Sequence, residues 1–178
     1  MRRSDKKNCM MEQAIRARPI SPRCFLPKSS NHKTAGYRPM DQRLIEAPYP
    51  MQSHLGFKMH LWEEDHAIFH LPLEPFLMNR YGIPHGGVHA VLLDTVMGFA
   101  GCYTGDPDHR RFAMTLSMNV NFLGRPEGKL LIGEARRTGG GKTIYFAEGS
   151  VADESGNLVA TGTGTFRYNN SPFASKRS

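Results

Sequence analysis

The sequence predicts an α+β domain in which an antiparallel sheet of five to six strands wraps around one long central helix. Three observations carry this reading. A helical stretch over residues 85–103 is apolar on most of its circumference, so it must be buried. Short runs alternating apolar and polar residues flank it, two before and four after. Short turns join these runs, which favours antiparallel pairing. A helix that is greasy nearly all round needs a sheet curled about it. Such a wrap leaves edges uncovered and favours oligomerisation.

Residues 1–45 show almost no apolar periodicity and are rich in Pro, Ser and Arg, which predicts a basic, flexible N-terminal arm. The domain is expected over 46–170, with 171–178 as a flexible C-terminus. The chain's net charge of +7 belongs to the arm: residues 1–45 hold 11 Lys and Arg against 3 Asp and Glu, and the remainder holds 12 against 13. A near-neutral domain argues against nucleic acid as a partner. The three cysteines, Cys9, Cys24 and Cys102, form no Cys-x-x-Cys and suggest neither a disulfide framework nor a zinc site. A reducing, cytoplasmic compartment is expected. No apolar stretch approaches the roughly 20 residues of a membrane span, so no membrane partner is expected. The arm is arginine-rich and acid-poor, as transit peptides are, but Pro19, Pro22 and Pro27 interrupt it.

Residues 56–62 and 66–73 alternate about the turn Glu63-Glu64-Asp65 and predict a hairpin, ended by Pro72 and Pro75. Residues 74–84 read as a loop. Val88, Val91, Leu92, Val96 and Phe99 then follow helical spacing, widened by Leu93 and Met97. Gly98 and Gly101 weaken that helix late, and Thr104-Gly105-Asp106-Pro107 closes it. From Phe112 the period changes to two. Phe112, Met114, Leu116, Met118, Val120 and Phe122 predict one apolar strand face, with Ala113, Thr115, Ser117, Asn119 and Asn121 on the other. Residues 129–137 predict a strand broken by Gly139-Gly140-Gly141, and residues 143–152 a further one. The turn 153–157 leads to a last strand over 158–168.

Chemistry concentrates in residues 79–94. Asp94 stands between Leu93 and Thr95 in the apolar helix, where a carboxylate needs either a structural partner or a task. So placed, it can hold a water and take its proton. Gly86-Gly87 after Pro84 is either a plain turn or a place where a carbonyl approaches free helix N–H groups. His85 reads as a helix cap, a surface histidine or a site residue, and Asn79 as a turn former or a site residue. Nine residues at about 100° each put Asp94 half a turn out of phase with His85. If the two act together, they act across two chains. His89 has no third ligand at a sensible spacing, so it reads as structural and no metal is predicted.

The constellation of Asn79, His85-Gly86-Gly87 and Asp94, with the strand 114–122 and the closing strand 157–166, resembles the hotdog-fold acyl-CoA thioesterases, specifically the PaaI-like (phenylacetyl-CoA thioesterase) branch. The resemblance covers roughly residues 50–168. It implies hydrolysis of an aryl or medium-chain aliphatic acyl-CoA, with Asp94 as general base or nucleophile. Gly86 matches the N–H that polarises the thioester carbonyl, and His85 the neighbour that places it. Asn79 matches the side chain that holds the water or the carboxylate, and Thr115 falls near the base. It further implies a site between two protomers of a homodimer or a dimer of dimers (a homotetramer). No bound cofactor is implied, because CoA arrives as part of the substrate. Around the glycine run, Arg136, Arg137, Gly140, Gly141 and Lys142 form either a phosphate contact for CoA or a solvated turn. Two alternatives remain. Hotdog hydratases or dehydratases usually set an Asp/His or His/Glu pair at spacings not found here. A non-catalytic acyl-CoA-binding or regulatory module would expect an appended DNA-binding helix pair, which residues 1–45 do not resemble.

Overall fold

The alternating N-terminal runs form β1 (Lys58–Glu63) and β2 (His66–Pro72), paired antiparallel about a turn in which Asp65 takes φ 57°. The structure, a computed structural model, describes residues 41–169. The expected arm as far as residue 40 and the expected tail 171–178 lie outside the described residues. Leu44, within the stretch read as arm, is buried in the core. A short helix, α1 (Pro50–Leu55), precedes β1 and was not expected from sequence. Six residues are too few to show a period. Only its ends signal it: Pro50 in the first turn, and Gly56 closing it at φ 84°, where a β-carbon is disfavoured.

The central helix α2 (Gly86–Ala100) packs against all six strands. The remaining strands are β3 (Phe112–Phe122), β4 (Leu130–Gly140), β5 (Ile144–Asp153) and β6 (Leu158–Asn169). The sheet order is β1-β2-β4-β5-β6-β3, with every neighbouring pair antiparallel. Leu92, Leu93, Val96 and Met97 of α2 are fully buried against Phe69, Leu71, Leu131, Val151 and Phe166. The helix comes close because glycines floor its seat. A β-carbon on Gly133 would meet Leu92 at 2.8 Å, and one on Gly149 would meet Leu93 at 3.2 Å. The turn after β5 is organised by the Asp153 carboxylate. It accepts from the backbone N–H groups of Glu127, Ser155 and Asn157, which hold its pKa down at about 2.

Two expectations are corrected. The single apolar face of β3 does not exist. Thr115 pairs with Phe166 and Ser117 with Thr165, so Leu116 is an extra residue, a β-bulge. The bulge reverses sidedness. Ala113 and Thr115 face α2 before it, whereas Met118 and Val120 pack on the core after it. Met114, Leu116 and Phe122 are each at least half exposed instead of buried. The glycine run also does not end β4. The strand continues to Gly140 through a register shift after Arg137, with Gly140 at φ 126° pressed against the Tyr145 backbone. A glycine run is a signal for a break, but cross-strand pairing with β5 holds it extended.

On the outer face, the buried His66 is clamped between two carboxylates, Nδ1 to Glu63 at 2.9 Å and Nε2 to Glu134 at 2.8 Å. The Glu134 bond, and then the Glu63 bond, raise the His66 pKa above its ordinary 6.5. A raised folded pKa stabilises fully below the unfolded value, and the contribution is lost as pH rises through the folded one. The advantage of the wild type over His66→Gln in thermal melts is therefore expected to be larger at pH 6 than at pH 8.5. An advantage that grows with pH would contradict the clamp.

Candidate active site

Asp94 stands on the third turn of α2, half-buried. Thr115 Oγ1 donates to its Oδ1 at 2.6 Å, a contact the bulge creates by turning Thr115 inward. One carboxylate oxygen is thus fixed, and nothing among the described residues engages the other. The next residue, Thr95, exchanges a hydrogen bond with the Tyr49 hydroxyl at 3.1 Å. Both helix residues and Thr115 line a cavity of about 350 Å³ with walls that include Tyr49, Trp62 and Phe99.

The other candidate residues gather at the start of α2. His85 is its N-cap, and Gly87 N–H donates to His85 Nδ1 at 2.9 Å. In the neutral ring this places the proton on Nε2, and the residue is exposed. Gly86 N–H donates to nothing among the described residues, and the helix N-terminus gives it partial positive charge. Asn79 braces the loop that delivers this end. Its Oδ1 accepts from Tyr81 N–H at 2.8 Å, its own N–H donates to Ile83 O, and His85 N–H donates to Leu77 O. The turn-forming role of Asn79 is therefore real, and its amide nitrogen stays unengaged.

The structure brings Asp94 and Thr115 together, and His85 with Gly86, but does not join the two pairs. They are separated along α2 by about 13 Å of rise and half a turn. At the β4–β5 hairpin, Arg137 is tied to Asp65 at 3.2 Å and Arg136 leans on Glu134 at 3.4 Å. Gly141 N–H closes the hairpin on Ile144 O, and Lys142 is exposed without an ion pair among the described residues. No group of three or more potential metal ligands occurs among the described residues. His89 is buried beside the Phe122 ring with neither ring nitrogen bonded, and burial pushes its pKa down. Sequence reasoning missed the cavity residues Glu46, Tyr49, Trp62 and Arg111. They come from three separate segments, the one before α1, the strand β1 and the loop before β3, and no spacing links these.

The profile of the acyl-CoA thioesterase C-terminal domain matches residues 75–166, which is 92 of the 178 residues. The chain belongs to the acyl-CoA thioesterase family. This thioesterase is a thioester hydrolase, and its sheet wrapped on one helix is the hotdog fold. It is similar to a conserved protein of Pseudomonas aeruginosa, with 27% identity and a TM-score of 0.63 over 74% of this chain and 100% of that one. A Bacillus halodurans protein solved with CoA shares 30% identity, with a TM-score of 0.58 over 68% of this chain and 79% of that one. The E. coli PaaI protein from the phenylacetic acid degradation operon, at 18% identity, shares the fold: its TM-score is 0.60 over 67% of this chain and 84% of that one. No curated protein matches the chain significantly. No helix among its described residues is long and apolar enough to cross a membrane.

Proposed function

We propose that the thioesterase hydrolyses an aryl or medium-chain acyl-CoA in sites shared between two copies of the chain. One observation carries the reading: an Asp94 carboxylate oriented by Thr115 on a cavity wall, with an unused Gly86 N–H at the far end of the same helix. In the reaction, a water held by the free oxygen of Asp94 attacks the thioester carbon while the carboxylate takes its proton. The developing oxyanion is met by Gly86 N–H of the second copy, beside its His85. Collapse breaks the carbon–sulfur bond and expels the CoA thiolate, which takes up a proton. Direct attack by Asp94, giving an anhydride that water then opens, uses the same atoms. No bound cofactor enters.

The strand β3 supports the shared site. It is an edge strand of 11 residues that exposes Met114 and Leu116, an open template for a second copy. Phe122 lies against Gly86, whereas Thr115 lies against Asp94. Two β3 strands paired antiparallel about their middle set residue 122 of one near residue 112 of the other. That brings the Gly86 end of one helix to the Asp94 side of its neighbour. We propose a homodimer on this edge, alone or as half of a homotetramer, in the cytoplasm. Lys142, without an ion pair among the described residues, and Arg136, more exposed than Arg137 and 3.4 Å from Glu134, are the basic groups we assign to the CoA phosphates; Asp65 holds the less exposed Arg137.

Thiol release on a panel of acyl-CoAs tests the activity, and mixed dimers test the sharing. Asp94→Asn chains paired with His85→Ala chains are expected to recover about a quarter to half of the sites. No recovery in verified heterodimers means each site is self-contained. Binding of acyl-CoA without thiol release would favour a regulatory module instead.

A further inference from the structure

The cavity beside Asp94 continues along α2 past Thr95, Gly98 and Phe99 to Cys102. The six residues from Asp94 to the helix end at Ala100 span about 9 Å, and Cys102 lies in the turn beyond. Aromatic rings wall this length, Tyr49, Trp62, Phe112 and Phe166 among them. Charge enters at the far end, because Arg111 and Glu46 also line the cavity and both act on the Cys102 thiol. Glu46 is engaged by Arg110 at 3.5 Å. Arg111 lies on the Tyr168 ring at 5.0 Å and makes no ion pair among the described residues. A guanidinium held against a ring face is presented as a fork with unused donors. An apolar slot with a carboxylate at its reacting end therefore opens toward an exposed, uncommitted cation.

We propose that Arg111 makes this slot a site for ω-carboxyacyl groups, chains of medium length that carry a carboxylate at the end remote from the thioester. The inference rests on the hydrolase reading above and names its substrate class. Arg111 pairs with the terminal carboxylate through charge-assisted bonds, bidentate where the fork allows. Asp94 repels that carboxylate from the reacting end, so the same two charges orient the chain. An acyl group too short to span the slot gains nothing from Arg111.

Suberoyl-CoA and octanoyl-CoA share an eight-carbon chain and differ only in the terminal carboxylate, and succinyl-CoA carries the carboxylate on a chain too short to reach. The expected kcat/KM for suberoyl-CoA exceeds that for octanoyl-CoA by about 10-fold or more, from one charge-assisted bond. Succinyl-CoA shows no such gain. In Arg111→Met the suberoyl-to-octanoyl ratio falls by about 10- to 100-fold, whatever activity is lost on both together. Arg111→Lys keeps part of the ratio. A wild-type ratio near one, or a ratio unmoved by Arg111→Met, overturns the inference while octanoyl turnover leaves the hydrolase reading standing. Turnover of none of the three by folded wild type removes the medium-chain reading, and this inference with it, and leaves the aryl-CoA reading to the thiol-release panel.

Discussion

Asp94→Asn is expected to fold as the wild type does and to lose about 10²- to 10⁴-fold in kcat, the usual worth of a positioned base. The substitution isolates chemistry from structure. Asparagine has the same shape, and its side-chain oxygen still accepts from Thr115 Oγ1, which sits 2.6 Å from Asp94 Oδ1. The amide has no proton affinity to offer a water and cannot form an anhydride. Thiol release with a saturating acyl-CoA reads kcat, and a melting curve reads the fold. A folded Asp94→Asn within about threefold of wild type would remove Asp94 from the reaction.

Tyr145→Ala is expected to lower stability by about 3–5 kcal/mol, as large-to-small changes at buried rings do. That is a third or more of what a typical domain has. The ring is fully buried, stacked on Phe166 at 5.1 Å between centroids and tilted on Tyr168 at 4.8 Å. Its hydroxyl donates to Gly98 O at 2.8 Å, which satisfies a carbonyl near the end of α2. Gly101 shows how tight the seat is, since a methyl there would collide with the ring. Tyr145→Phe is expected to lose only about 1–3 kcal/mol, through the unpaired carbonyl. Urea unfolding of both variants reads the two losses. Equal losses would mean that the hydroxyl, not the packed ring, holds the helix end.

Much of this fold is legible because period and length act locally. The hairpin of β1 and β2, the helix α2 and the last three strands each carry their own repeat or turn residues. The loop geometry was legible at His85 and Gly86 because a cap and a helix start are neighbours in sequence. The β3 bulge was not legible. Leu116 continues an unbroken alternation, and only the ladder with β6 reveals that one residue is surplus. The partnership of Thr115 with Asp94 depends on that surplus residue, so residue types alone could not derive it. Glu46 and Arg111 escaped notice for a different reason: as exposed-looking charges near loops, they acquire meaning only when the cavity joins them.

The surplus residue also fixes where β3 tolerates a change of length. Removing Leu116 would leave Ala113, Thr115, Met118 and Val120 all on the helix side, now in plain alternation. Removing any residue from Met118 onward would swing the side chains after the gap to the opposite face. Homologues one residue shorter in this segment should therefore carry their gap at this address, and a shortened variant made there should still close the sheet.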